Sequence, residues 1–247
     1  ERSVERLESE LRDWKHHGLA EREKLVEELS RAGHPAIPSL IRFMSEAQTG
    51  SDLLSAGKAL AAIDPDFRKR PEYAAAMEEF RRVAEAGNVI AQRNLGILYR
   101  DGIGVEKDEE AAGKWFRKAA EQGDARAQFG LGTICYRNRD YAEAAKWLRK
   151  AAEQGMAPAQ GVLGMLYAKG QGVKQDSAEA AKWIRKAADL GLPEAQTVLG
   201  TLYMSGAGVK LDFEEAAKWY RKAAEQGDTE AAAALKQLQD ENKEIFE

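Results

Sequence analysis

The chain has 247 residues, of which 44% are hydrophobic and 32% are charged, so it can build a core, which argues against a wholly disordered chain. Its 37 lysines and arginines against 41 aspartates and glutamates give a net charge of −4, which does not favour a nucleic-acid surface. The single cysteine, Cys135, excludes an intramolecular disulfide, and no membrane span is predicted because no run of about 18 apolar residues occurs.

Residues 1–52 are predicted to form a helical N-terminal segment. The opening helix, over about residues 2–17, carries an apolar stripe with three- and four-residue spacing: Val4, Leu7, Leu11 and Trp14. Such a stripe caps the end of a helical array or forms a coiled-coil seam, and we expect the capping role. The next stretch, "LVEELSRAGHPAIPSLIRFMSEAQTG" (25–50), resembles a HEAT-type helix pair around a proline-containing turn.

Residues 53–90 are predicted to be a degenerate copy of the unit that follows them. The stretch "YAAAMEEFRRVAEAG" (73–87) aligns at an offset of 36 residues with a later helix, so that Phe80 falls on Phe116. The stretch "DLLSAGKALAAI" (52–63) is the expected first helix of this copy.

Four copies of one unit fill residues 91–230. They begin at residues 91, 127, 159 and 195, with offsets of 36, 32 and 36 residues. A repeat of this length is typical of helix pairs that stack, because one unit cannot bury its apolar face alone.

Each copy is predicted to contain two helices. Packing residues on the first helix have four-residue spacing, and in the third copy they are Ala159, Leu163, Gly164 and Tyr167. A glycine in a helix costs about 1 kcal/mol relative to alanine, so we expect a neighbouring helix to approach it closely. The second helix alternates small residues with one tryptophan, as in "AAKWIRKAADLG" (180–191). Glycines in the loop between the helices allow positive φ, and Asp176 is predicted to cap the second helix in a capping box with Glu179.

Residues 231–247 begin as a truncated fifth copy and are predicted to form a C-terminal capping helix. Its apolar stripe needs cover and consists of Leu235, Leu238 and Ile245. This helix either closes the array or provides a docking surface for self-association.

The recurring pattern "LGxxY…GxGVxxDxxxAxxWxxxAAxxG", over residues 91–231, resembles the Sel1-like repeat, a longer-looped relative of the tetratricopeptide repeat. The resemblance implies an all-α fold, a right-handed superhelical solenoid of antiparallel helix pairs. The second copy departs from the pattern, because the turn "RNRD" (137–140) replaces the glycine loop and Cys135 replaces the tyrosine. We expect this short turn to leave the stack intact.

No catalytic or metal-binding constellation is found in the sequence. The histidines are His16, His17 and His34, and adjacent histidines on a helix point about 100° apart, so they do not share a metal easily. The glycine loops follow helices rather than strands, unlike phosphate-binding loops. Ser55 and Lys58 give one S-x-x-K match without its companion motifs. We therefore predict no enzyme, no cofactor and no metal.

A ladder of basic residues recurs along the second helices, as at Lys182, Arg185 and Lys186. We interpret it as a solvated outer face, whose cations lie in the last helical turns and pair with a carboxylate one turn later, such as Asp189.

The resemblance implies a non-catalytic protein-interaction scaffold in which the first helix of each copy lines the concave face. The predicted partner-binding positions are Arg93, Ile97, Arg100, Phe129, Thr133, Arg137, Met165, Lys169, Thr197, Thr201 and Met204. Their mixture of apolar and basic side chains favours a peptide or protein partner with acidic residues. Two alternatives stay open: a cell-envelope enzyme related to β-lactamases, and a self-associating array. Periplasmic, secreted and cytoplasmic locations also stay open.

Overall fold

A computed structural model of the chain describes residues 19–241. The predictions for residues 2–17 and for Ile245 lie outside the described residues. The described part contains thirteen α-helices, two short 3-10 helices and no strand, which confirms the predicted all-α class. The α-helices are α1 (Leu19–Arg31), α2 (Ile37–Glu46), α3 (Gly50–Ile63), α4 (Pro71–Glu85), α5 (Val89–Asp101), α6 (Glu109–Glu121), α7 (Ala125–Arg137), α8 (Tyr141–Glu153), α9 (Ala157–Lys169), α10 (Ser177–Asp189), α11 (Pro193–Ser205), α12 (Phe213–Glu225) and α13 (Thr229–Glu241). None of these helices has the length and apolar character needed to cross a bilayer.

The chain divides into two compact units, residues 1–130 and 131–247, with the boundary inside α7. In the first unit, α1 packs on α3, and α2 packs on α4 and α5. Its core contains the fully buried side chains of Leu40, Leu60 and Leu95. Both helices expected in the degenerate copy over residues 53–90 are present, as α3 and α4, and α4 packs mainly on α2 and α5. The proposed limits of that copy stay a prediction.

In the second unit the helices pack in chain order, and the most extensive pairs are α9 with α10 and α11 with α12. The glycine of each first helix faces a large side chain of its partner helix. A Cβ on Gly164 would lie 2.6 Å from Cγ1 of Ile184, and a Cβ on Gly200 would lie 2.7 Å from the ring of Tyr220. The predicted close approach at these glycines is therefore confirmed.

The loop glycines connect neighbouring copies. Gly172 has φ +69° and Gly208 has φ +75°, and a Cβ on either would overlap a backbone carbonyl at the start of the preceding second helix, that of Tyr141 or Ser177 respectively. These loops therefore serve packing, as expected from their recurrence. The short turn of the second copy joins α7 to α8 without a glycine, and Arg139 adopts φ 62° there.

The predicted N-cap of α10 is present, because the Asp176 side chain accepts a hydrogen bond from the Glu179 backbone N–H at 2.9 Å. The Glu179 carboxylate forms an ion pair with Lys182 at 3.2 Å rather than completing a capping box. The basic side chain of the i+3 residue competes for this carboxylate, so the capping-box prediction is wrong at this helix.

Candidate functional site

The second helices of the second unit present a repeated packing face. Trp147, Trp183 and Trp219 are only 3–6% exposed. A lysine one turn later covers each ring, and Lys186 Nζ lies 4.2 Å from the centroid of Trp183. Each lysine thus makes a cation–π contact with the face of its tryptophan ring.

The arginines of the basic ladder bind neighbouring copies. Arg149 donates to the Tyr167 hydroxyl at 2.6 Å, and Arg185 donates to the hydroxyl of Tyr203. Lys182 pairs with the carboxylate of Glu179, one turn earlier than predicted. The expected pairing with a carboxylate one turn later is not what these residues form: Lys182 pairs with the preceding turn, Arg185 binds a hydroxyl of the next repeat, and Lys186 lies over the Trp183 ring.

A buried glutamine in the first turn of each first helix binds the end of the preceding second helix. Its amide donates to a terminal carbonyl of that helix at 2.8–3.1 Å in all four copies, with the pairs Gln92–Ala84, Gln128–Ala120, Gln160–Ala152 and Gln196–Ala188. In the first and fourth copies a second glutamine donates to its carbonyl oxygen, at 2.7 and 2.9 Å. The third copy has Leu190 there, and Gln160 Oε1 is buried with no hydrogen-bond partner among the described residues.

Two predicted partner-binding residues are buried instead of exposed. Arg93 is 6% exposed and forms an ion pair with Asp124 at 2.9 Å, while Thr197 is 7% exposed and donates to Asp228 at 2.8 Å. Hydrogen bonds from the Ala231 backbone and from the Thr197 hydroxyl hold the pKa of the Asp228 carboxyl below its usual value. The expectation that Arg93 and Thr197 are exposed is wrong, because the capping residue of the next first helix binds their polar groups.

Three other predicted residues lie in the first unit. Ile97 is partly buried against the core, and Phe129 is half-buried. Arg100 forms an ion pair with Asp101 at 2.6 Å and lies over the Phe116 ring. The chain's own side chains therefore already occupy part of the predicted basic rim.

The second unit exposes most of its predicted residues. Met165 is 40% exposed and Met204 is 38% exposed, and Arg137, Lys169 and Thr201 are also exposed. Thr133 is half-buried. The Thr201 hydroxyl is already bonded to the Thr197 carbonyl at 3.2 Å.

One exposed apolar residue near these positions was not predicted from the sequence. Val198 is 37% exposed on α11, three residues before the register position of Met165 and six before Met204. Its aligned position, three residues before Thr201, could have indicated it. We call Met165, Val198 and Met204 the apolar face of the second unit.

A cleft of about 620 Å³ in the first unit was also not predicted. It lies between α2, α4 and the start of α5, with Phe80 and Val83 in its floor and Arg42 and Glu79 at its edges. Its walls come from helices that are distant in sequence, so no local pattern marks it.

The described residues bring no set of three or more metal-binding side chains together. His34 Nε2 lies 3.5 Å from Asp64, whose carboxylate also binds Arg70. Ser55 is half-buried on α3 and Lys58 is exposed.

These features define a tandem helix-pair repeat protein. The Sel1 repeat model matches residues 89–124, 125–156, 157–192 and 193–228, more than half of the chain. The chain belongs to the Sel1 repeat family.

Solved structures with the same architecture are known. A Sel1 repeat protein from Oxalobacter formigenes is 40% identical with a TM-score of 0.61, and the match covers 69% of this chain and 72% of that one. A protective antigen present in uropathogenic Escherichia coli strains is 30% identical with a TM-score of 0.63, and the match covers 86% of this chain and 50% of that one.

Curated relatives match over shorter stretches. An F-box protein of Arabidopsis thaliana is 34% identical over 85 residues, which is 34% of this chain and 24% of that protein. A Sel1-like repeat-containing protein of Acanthamoeba polyphaga mimivirus is 36% identical over 61 residues, which is 25% of this chain and 11% of that protein. The match thus spans less than a quarter of the length of either relative.

Proposed function

We propose that this chain is a non-catalytic scaffold whose apolar face in the second unit binds a segment of a protein partner. Sel1 repeat proteins generally mediate protein–protein interactions. The observation that supports the site is the exposure of Met165, Val198 and Met204 on first helices.

These three side chains are not required for packing between repeats. Packing in the second unit uses the glycine, alanine and tryptophan positions, which keep their residue types from copy to copy. The two methionine positions change type instead, since Met165 aligns with Thr201 and Met204 aligns with Ala168, whereas Val198 aligns with Val162. Flexible, polarizable methionine side chains adapt to the shape of an incoming apolar surface, so they suit a binding role.

The charge next to this face sets limits on the partner. Arg93 and Arg100 are neutralised by Asp124 and Asp101, so they do not support an acidic partner. Lys169 is exposed and has no ion pair with any described residue, so it is the basic group that supports one. The enzyme alternative and the self-association alternative have no observation that favours them.

Photo-crosslinking tests this proposal directly. A photoreactive amino acid is placed at position 165 or 204 and, as a matched control, at Leu211, which is 51% exposed in a loop. We expect the same protein to be crosslinked from 165 and 204 in the native cell extract, and not from 211.

The double variant Met165→Glu, Met204→Glu provides the second arm. It should keep the helical circular-dichroism spectrum and lose the partner, because two carboxylates would have to be desolvated in the interface. Identical crosslinks from all three positions, or a double variant that binds normally, would contradict the proposed face.

A further inference from the structure

Charge changes in a regular order across the first helices of the second unit. At the position of Lys169, α11 has Ser205 and α13 has Glu241. One residue earlier, the series runs Ala168, Met204 and Asp240, and all six of these residues are exposed. The surface therefore passes from basic on α9, through apolar on α11, to acidic on α13.

The other end of the same helices has a matching trend. The exposed series there is Pro158, Glu194 and Glu230, so negative charge is present on α11 and α13 and absent at this position of α9. Asp240 has no ion pair with a described residue, and Glu241 accepts a hydrogen bond only from the neutral amide of Gln237, at 2.8 Å. Among the described residues, the charges at both ends of this surface therefore have no ionic partner.

We infer that the apolar face binds a peptide segment of defined charge order, with an acidic residue over Lys169, apolar residues over Met165, Val198 and Met204, and a basic residue over Asp240 and Glu241. This inference rests on the proposed function and adds the partner's chemistry and orientation to it. A peptide bound in the opposite sense would place like charges together at both ends, which costs affinity and selects one orientation.

The spacing of the helices sets the spacing of the two charges. The helices pack in chain order at about 8–10 Å, so α9 and α11 both pack on α10, and α11 and α13 both pack on α12. The path from α9 across α11 to α13 is therefore at most about 40 Å. An extended peptide advances about 3.3 Å per residue, so the acidic and basic residues should be no more than about twelve positions apart. The segment between them must then carry the apolar contacts.

A displayed library of random twelve-residue peptides, selected on the full chain, provides the test. We expect enriched peptides to carry an acidic and a basic residue on either side of apolar residues, at one recurring separation. The best peptide, labelled with fluorescein, is then measured by fluorescence anisotropy against variants. Lys169→Glu and the pair Asp240→Lys, Glu241→Lys should each weaken binding roughly three- to tenfold.

The control and the rescue make the result specific. Lys174→Glu alters an exposed loop lysine of the same repeat and should leave binding unchanged. Exchanging the acidic and basic residues of the peptide should restore binding to the variant with all three charges reversed.

The outcomes distinguish this inference from the proposed function. If Met165→Glu, Met204→Glu abolishes peptide binding while Lys169→Glu leaves it unchanged, the charge order is wrong and the apolar face stands. If no peptide with this charge order is enriched, the inference is overturned. Crosslinking from positions 165 and 204 then still tests whether the apolar face binds a partner. Peptide binding that survives the Met165→Glu, Met204→Glu change would overturn both.

Discussion

Repeats 3 and 4, residues 157–192 and 193–228, share their helix lengths and packing residues but connect differently to the helix that follows. In repeat 4, Thr197 donates to Asp228, and the amide of Gln226 completes the hydrogen bonds of Gln196. In repeat 3, a Cβ on Gly161 would make an ordinary van der Waals contact with Leu192, 3.6 Å away. The same stacking is thus reached with a polar connection in one repeat and an apolar one in the next.

Substituting the buried tryptophans tests whether the cores of repeats 3 and 4 contribute equally to the free energy of unfolding. Trp183→Ala and Trp219→Ala should each lower the free energy of unfolding by about 3–5 kcal/mol, because each leaves a large cavity among alanines. Chemical denaturation followed by circular dichroism measures this loss. Trp115→Ala, at a half-buried tryptophan, should cost less. A clear difference between the Trp183 and Trp219 variants would contradict the equality of the two cores.

Loop glycines should be the next most sensitive positions. Gly208→Ala should cost about 2–4 kcal/mol, because the new Cβ overlaps the Ser177 carbonyl and the backbone has positive φ. Gly191→Ala is the matched control, since its φ is +88° but nothing lies within 4 Å of the added Cβ. Equal thermal destabilisation by the two substitutions would mean that the loop contact contributes nothing.

The polar connection of repeat 4 should depend on pH. Thr197→Val removes the hydrogen bond to Asp228 and should lower the free energy of unfolding by about 1 kcal/mol at pH 7. The folded pKa of Asp228 is depressed, so its stabilisation is complete above the ordinary carboxyl pKa of about 4 and is lost as pH falls through the folded value. The difference between wild type and Thr197→Val should therefore shrink below about pH 4, and urea unfolding at several pH values measures it. A difference that is constant down to pH 2 would exclude this role of the carboxylate.

The smallest expected effect is a gain in repeat 3. Leu190 is 58% exposed and contributes little packing, while Gln160 Oε1 lacks a donor. Leu190→Gln should reproduce the bond that Gln226 makes in repeat 4 and raise the free energy of unfolding by about 0.5–1 kcal/mol. Leu190→Glu removes the same apolar side chain without adding a donor and should give no gain. Equal stability of the two variants would show that the buried oxygen is not the cause.

The repeated positions could be predicted from the sequence, because close helix packing leaves few residue types that fit. Gly164 and Trp183 were predicted to pack between helices for this reason, and the structure places both in tight contacts. The burial of Arg93 and Thr197 was not predicted, because it depends on the capping residue of the next repeat. No pattern within one helix shows that Asp124 and Asp228 would reach back to them.

The candidate site was predicted less completely than the fold. Met165 and Met204 were identified from repeat register, whereas the exposure of Val198 was found only in the structure. The cleft between α2 and α4 depends on the packing of helices whose pairing the sequence did not specify.

The hydrogen bond from Arg185 to Tyr203 and the close approach of the Gly208 loop to the start of α10 both join adjacent repeats. A second copy of residues 193–228 inserted after Asp228 would place a new tyrosine and a new glycine loop at the same offsets from α12. Such an insertion would keep every contact between repeats and add one more helix pair to the array. The reach of this protein can therefore change in whole repeats, by gene duplication, without any redesign of its core.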